Sequence, residues 1–565
     1  MVKNQELALQ IKEILRTLVE ALPEVYNYLE ANNKVIFQTL MGDMEQALFV
    51  LENIAKQEQE DEYKEVVIKC QNCYASLQAI KQYEKENDIE LALNKLEFEL
   101  FTLLRMGYAR FYYFALIAGN EEKEKAFWEE EAVSLCKNYY IEESIKTGKY
   151  KYDVSIVVIA YNKLEYTRLC VEAVVKNMPR GLRCELILLN HGSNDGTKEY
   201  FESIFPEKQI DIKINSDGFF IPYFIAEGKY LLTISNDVII GKNTTEIMYE
   251  AMEEDKMIAY AVPVTPNITN LQCDMKQDIV VSYESMDELQ KIARKYNQRD
   301  KRLEECRVRL LNPLSMFRTE YFSNSEKTKT LAKILLLMKN VVFGDDTISL
   351  HFRRAGYKNV LMKDIYCHHF GSVTVRNSFD YLKGRTQFNE VYGIDAWERG
   401  FCFQYAIFNN LVFNKKDAKR ILGINAGMGS NPLKIKEELK AHTGNTEVQI
   451  INYTTNERVL ADLQGVSDVA EYVPKWEELF VKIEGSFDYI IICGDIEQEI
   501  AYQEYVKRLY DMLEKEGILI FESSDIAQVL WFQETYNIKE KILIDSEVSY
   551  LKEENKTIYI SYVRK

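Results

Sequence analysis

Apolar residues recur at intervals of three and four through residues 1–148, a stretch with one proline, Pro23, and rich in Leu, Glu, Lys, Ala and Gln. That period lines one face of an α-helix and predicts an all-helical segment. Polar or glycine-bearing breaks at Asn32 and Asn33, Gly42 and Asp43, Asn87 and Asp88, and Gly119 and Asn120 divide it into four or five helices packed as hairpins with acidic outer faces. The aromatic cluster Tyr108, Phe111, Tyr112, Tyr113 and Phe114 reads as core, with a sugar-stacking groove as the alternative. After a short polar connection at 148–152 the pattern changes. Runs 154–159 (VSIVVI), 186–189 and 230–234 are mostly apolar and largely aliphatic, the signature of strands buried in a parallel sheet. Each run ends in a polar turn: Ala160, Tyr161 and Asn162; then NHGSNDGT (190–197); then SND (235–237). Residues 163–176 read as a helix, which makes the beginning a β-α-β unit, and open sheets of this kind bind ligands at the carboxyl ends of their strands.

Further along, 275–297 is polar and reads as helical, 309–321 (RLLNPLSMFRTEY) as a strand and turn, 327–339 as a helix, 347–355 as a helix after an acidic pair, and 359–362 as a strand. From about Asn414 apolar runs alternate with helical pattern again: a strand at 420–425, the turn AGMGSNP (426–432), then strands at 448–452, 487–493 and 517–522. Such alternation predicts a second doubly wound sheet. The expected class is α/β in three domains: helical (1–150), nucleotide-binding α/β (151–400) and Rossmann-like α/β (414–565).

Composition narrows the function. At 565 residues the chain exceeds one core. Seventy basic against 88 acidic residues give a net charge of −18, and no basic stripe with interleaved aromatics occurs, so nucleic acid is not an expected partner. No apolar run approaches the roughly 18–20 residues that cross a bilayer, and MVKNQELALQ is a charged helix start rather than a leader. The chain is expected to be soluble and cytoplasmic, touching a membrane only peripherally. Ten scattered cysteines suit a reducing compartment, and Cys70 with Cys73 lacks the second pair or histidine of a zinc site.

A strand ending in AYN, a strand ending in a GS-x-DGT turn and a strand ending in NDV resemble the family 2 glycosyltransferases of the GT-A fold. GDDTISLHFRRAGYKNVLMKDIYCHHFGSVT (344–374) resembles the acceptor-side end of that fold, so the likeness spans about 153–376. The resemblance implies an inverting transfer of a sugar from a nucleotide diphosphate donor, most simply a UDP-sugar, to a hydroxyl of a glycan or protein acceptor. The nucleoside is then expected against Ala160, Tyr161, Asn162, Asn190, Asp195 and Asn236. Asn190 stands where the family has a carboxylate, which keeps hydrogen bonding and loses charge, and Asp195 is read equally as a turn-stabilising residue. Asp237 matches the second carboxylate of the family's D-x-D motif, the first being Ser235, and is expected to hold Mn2+ or Mg2+ with His368 or His369 as the second ligand. Of the acidic pair, Asp346 is expected to be the general base and Asp345 a cap of the following helix.

The third domain resembles the class I S-adenosylmethionine-dependent methyltransferases in the order of its strands, in FDYIIICGDIEQ (487–498) and in LYDMLEKEGILIFES (509–523). Gly423, Ala426 and Asn452 depart from that pattern: the acids that anchor the cofactor are missing, so weak or absent S-adenosylmethionine binding is expected. Three readings stand: a glycosyltransferase whose flanking domains recognise the acceptor or build a homo-oligomer, a bifunctional glycosyl- and methyltransferase, and a catalytically silent scaffold.

Overall fold

The structure is a computed structural model that describes residues 2–213, 220–268, 272–273, 285–322, 343–371, 381–493, 502–548 and 555–565. Helices Gln5–Glu30, Lys34–Ala55 and Asp61–Lys85 begin the chain. Asn4 and Asn33 cap the first two, each side chain accepting the backbone N–H three residues on, and Asp88 caps the helix that starts at Ile89 in the same way. The breaks near Asn33, Asp88 and Asn120 are therefore present. The one at Gly42 is not. Phe37, Met41, Met44, Leu48 and Leu51 stay in phase on one buried face across it, and a single glycine in a helix costs only about 1 kcal/mol. The chain turns instead between Ala55 and Asp61. Phe111, Tyr113 and Phe114 are buried, and Tyr113 packs on Phe127 and Trp128, so this aromatic cluster is largely core.

The central sheet takes its strands in the order β3-β2-β1-β4-β8-β6-β9-β7. They are β1 (Tyr152–Ala160), β2 (Cys184–His191), β3 (Lys208–Ile212), β4 (Gly228–Ser235), β6 (Ile258–Val264), β7 (Glu304–Cys306), β8 (Leu314–Arg318) and β9 (Lys358–Tyr366). A two-stranded piece, β5 (Val238–Ile239) with β10 (His368–His369), sits beside it. Strands β1 to β4 are parallel; the mostly buried aliphatic runs of β1, β2 and β4 suit the interior of such a sheet, while β3 (KQIDI) alternates buried and half-buried positions, and β8 enters antiparallel between β4 and β6. Helix Leu164–Lys176 makes the first crossover, and helix Gly344–Arg354 leads into β9. Helix Met286–Tyr296 occupies part of the polar stretch expected to be helical. The helix read at 327–339, and the part of that stretch at 275–284, fall outside the described residues.

The last sheet has the order β13-β12-β11-β14-β15-β17-β16. Its parallel part is β11 (Arg420–Ile424), β12 (Gln449–Thr454), β13 (Val469–Tyr472), β14 (Phe487–Ile492) and β15 (Leu513–Ser523), and β17 (Asn555–Arg564) runs antiparallel between β15 and β16 (Leu543–Val548). β11, β12, β14 and β15 correspond to the apolar runs in the sequence. β13 is only half-buried along its length and gives no such run.

Buried charge fastens the helical region to the central sheet. Lys95, on a π-helical segment Lys95–Leu100, pairs with Glu99 at 2.8 Å and with Asp211 at the end of β3 at 2.7 Å, while the Asp211 N–H donates to Glu99 at 2.7 Å. Nearby, the fully buried Asn138 donates to the carbonyls of Tyr223 and Ala226. Removing one member of a buried ion cluster leaves the others uncompensated, a loss of about 3–5 kcal/mol. Lys95→Met should lower the stability of the chain by that amount in denaturant unfolding. A variant as stable as the parent would show that the cluster does not join the two parts.

Candidate active site

Register brings three strand ends level. Ala160 lies opposite Asn190, and Ile159 opposite both Leu189 and Ser235. The turns that follow are laced together by short polar side chains. Asn162 N–H donates to Ser193 Oγ (2.8 Å), Asn194 N–H to Asn162 Oδ1 (3.0 Å), and Asn236 Nδ2 to the Asn162 carbonyl (2.9 Å) and Thr167 Oγ1 (2.8 Å). Asn162 and Lys163 both hold a left-handed backbone, with φ of 53° and 62°. Two adjacent side-chain-bearing residues in that region are strained and persist only where surrounding bonds fix them. Tyr161 is left partly exposed at the mouth.

Asp195 is committed to the turns. Its Oδ2 accepts from Leu164 N–H (2.8 Å) and its Oδ1 from Thr197 Oγ1 (2.6 Å). Burial alone would raise its pKa, but the hydrogen bonds from Thr197 and Leu164 hold it below the ordinary carboxylate value. Asn190 accepts from Ser193 N–H (2.9 Å) and donates to Asp211 (3.3 Å), which carries its contact on to Lys95. A cleft of about 370 Å³ opens here, walled by Asn190, Ser193 and Asp211 on one side and by Ala75, Lys95 and Glu99 of the helical region on the other. Asp211 and Lys95 were not legible as site-adjacent residues, since a Lys and Glu four apart on a helix ordinarily read as a solvated pair.

Just past β4, the antiparallel pairing of β5 with β10 places His369 opposite Val238. It brings His369 Nε2 within 3.4 Å of Asp237 Oδ2, both side chains being almost wholly buried. Phe370 N–H donates to the Asp237 carbonyl (3.0 Å), which fixes the two segments side by side. His368 turns elsewhere. Its Nδ1 meets Tyr366 Oη at 3.0 Å and its ring stands edge-on to Phe370, and burial, helped by His369, pushes its pKa down to about 4. Among the described residues no group of three His, Cys, Asp or Glu is placed to hold a metal ion.

The acidic pair begins helix Gly344–Arg354, preceded by Phe343 in the left-handed region at φ 66°. Asp346 is buried, and both its oxygens accept from Arg309, Oδ1 from Nε and Oδ2 from Nη2 at 3.1 Å. Asp345 is half-buried and accepts the backbone N–H of Asn312. Burial first, and the neighbouring Asp346 second, lift its pKa to about 7. Asn312 precedes Pro313, whose carbonyl accepts from Ser235 N–H at 2.9 Å. Asp345 is thereby tied to the end of β4 where Asn236 and Asp237 turn. Arg309 and Asn312 lie in the segment read as leading toward the acidic pair, though nothing in the sequence marks their partners.

Residues 155–305 match the family model for glycosyl transferase family 2. No curated protein matches the chain. Among solved structures, GalNAc-T7 with UDP, GalNAc and Mn2+ aligns at 13% identity over 44% of this chain, which spans half of that protein's length, with a TM-score of 0.32. A precorrin-6y C5,15-methyltransferase from Geobacter metallireducens GS-15 aligns at 14% identity over 26% of this chain and 82% of its own, with a TM-score of 0.21. No helix among the described residues is long and apolar enough to cross a membrane. The strand ends, turns and buried Asp237 described above thus all lie within residues 155–305, the segment that is similar to glycosyl transferase family 2.

Proposed function

We propose that the protein is an inverting, metal-dependent glycosyltransferase that moves a sugar from a UDP-sugar to a hydroxyl of a glycan or protein acceptor. The observation that carries this reading is the Asp237 and His369 pair just past β4, with the Asp345 carboxyl held by Asn312 in the segment whose Pro313 bonds to the end of that strand. A carboxylate oxygen and an imidazole nitrogen suit Mn2+ or Mg2+ when phosphate oxygens and water complete the shell. Asp237 and His369 would hold it, and its charge would stabilise the departing diphosphate. His368, turned onto Tyr366, fits a supporting role better than a ligand's. Ala160, Tyr161, Asn162, Asn190 and Asn236 border the level strand ends where a nucleoside would lie, and Asp195 shapes the turns around it.

The base is assigned to Asp345 rather than Asp346. A general base works best with a pKa near the operating pH and a lone pair open to the acceptor. Asp346 is forked onto Arg309, an arrangement that fixes structure. In the proposed step the acceptor oxygen attacks the anomeric carbon, its proton passes to Asp345, and the bond to the diphosphate oxygen breaks with inversion.

The C-terminal sheet fits S-adenosylmethionine poorly. At its glycine-rich turn, Met428 N–H donates to the Arg399 carbonyl (2.8 Å) and Ser430 N–H to the Gly400 carbonyl (3.2 Å), so the chain's own backbone takes donors a cofactor would use. A Cβ on Gly427 would lie 1.9 Å from the Arg399 oxygen, a measure of how closely this strap is seated. Asn452, at the ribose position, is buried and donates to Ser467 Oγ at 2.7 Å. This favours a non-catalytic C-terminal unit over a second, methylating activity, and calorimetry of the full chain with S-adenosylmethionine should give no heat of binding.

Two further outcomes are expected. Asp345→Asn should cut turnover by about 100- to 10,000-fold with donor affinity kept, whereas Asp346→Asn should chiefly lower the melting temperature. Because Asp345 is protonated below its raised pKa of about 7, parental turnover should climb with pH up to that value and then level. Normal turnover in Asp345→Asn would remove it from the mechanism. Separately, Asp237→Ala and His369→Ala should each abolish the manganese-dependent part of UDP binding measured by calorimetry, and unchanged manganese dependence in both would refute the metal assignment.

A further inference from the structure

The helix that begins with Asp345 and Asp346 ends against the C-terminal sheet. Arg353 and Arg354 both donate to Asp462, Arg353 to Oδ1 and Arg354 to Oδ2 at 2.7 Å through Nη2 and 3.2 Å through Nε. Asp462 belongs to the short helix Leu460–Gln464 after β12 and is fully buried. Burial would raise its carboxyl, but the two guanidinium groups hold it below the usual carboxylate range. Three residues on, a Cβ at Gly465 would lie 2.4 Å from the Arg353 carbonyl oxygen, so the two backbones meet with no room for a side chain.

The same arginine reaches back toward the acidic pair. Arg353 Nη1 donates to the carbonyl of Val308, the residue before Arg309. Arg309 forks onto Asp346, next to Asp345, and its guanidinium lies 5.5 Å from the Phe401 ring centroid in the strap that seats on the glycine-rich turn. Both ends of the helix are thus held by one continuous set of contacts that starts at Asp462. An 11-residue helix is about 16 Å long, so Asp462 is remote from the reacting atoms.

We infer that the C-terminal sheet is a positioning element for the acceptor-side base, with Asp462 the residue through which it sets the helix carrying Asp345. The inference rests on the assignment of Asp345 as base. A displacement of about 1 Å in a catalytic group costs on the order of 100-fold in rate, so a brace on this helix acts on turnover, whereas donor binding depends on β1, β2 and β4 and should be spared.

The test uses the full chain and the variants Asp462→Ala, Asp462→Asn and Gly465→Ala, with turnover, donor affinity, the pH dependence of turnover and melting temperature measured for each. Turnover should fall at least about tenfold in Asp462→Ala and Gly465→Ala, and less in Asp462→Asn, which keeps one acceptor oxygen. Donor affinity should stay within about twofold, and the rise of turnover with pH should move from its parental position, because Arg309 and Asp346 shift beside Asp345. A folded Asp462→Ala or Gly465→Ala with parental turnover and an unmoved pH dependence, however much its melting temperature drops, overturns the inference. Gly465→Ala and Asp462→Asn serve if Asp462→Ala does not fold. Asp345→Asn run alongside separates the two claims: parental turnover there defeats the base assignment, whereas loss there with parental turnover in the Asp462 and Gly465 variants defeats the positioning role alone.

Discussion

Parallel pairing of β1 with β2 and β4 is the constraint on which the rest of the site depends. Because Ala160 is level with Asn190 and Ile159 with Ser235, three turns emerge at one edge and must satisfy their backbone groups together. The side chains of Asn162, Ser193 and Asn236 do this in a closed set of hydrogen bonds. They hold the left-handed backbone at Asn162 and Lys163 and leave Asp237 pointing to where β10 brings His369. A sheet paired one residue out of register would turn these side chains to the other face.

The two flanking parts attach to the central domain toward opposite outer strands of its sheet, and both use buried charge. The helical region arrives through Lys95 and Glu99 at Asp211, one hydrogen bond from Asn190. The C-terminal sheet arrives through Asp462 at Arg353 and Arg354, and through Lys434, 2.8 Å from the buried Glu305 on β7. Buried ion pairs are poor sources of net stability, because desolvation offsets most of the attraction, yet they fix geometry since any slip strands a charge. Their placement toward the two outer strands of one sheet, β3 and β7, suits a role in alignment more than in holding the chain together.

Much of this was legible from periodicity and turn chemistry. The aliphatic runs and their polar ends located β1, β2 and β4, and the histidine pair drew notice because its place after the 359–362 strand resembles the family's histidine segment and the chain has only five histidines. Which of the two faces Asp237 depends on the antiparallel register of β5 with β10, and strands of two residues leave no periodic signal. The roles within the acidic pair were equally hidden. Sequence favoured Asp346; burial raises both carboxyls, and what separates them is that Asp346 is tied to Arg309, 37 residues earlier in the chain. Gly42 misled because glycine is a weak breaker when the apolar face continues through it.

The central claim, that Asp237 and His369 together hold a divalent cation on the diphosphate of the donor, is open to direct measurement by pulsed electron paramagnetic resonance of Mn2+ bound to the full chain with UDP. The account requires the manganese signal to show coupling both to a nitrogen nucleus, lost in His369→Ala and kept in His368→Ala, and to phosphorus. Phosphorus coupling without any nitrogen coupling, or a nitrogen coupling that survives in His369→Ala, would contradict it.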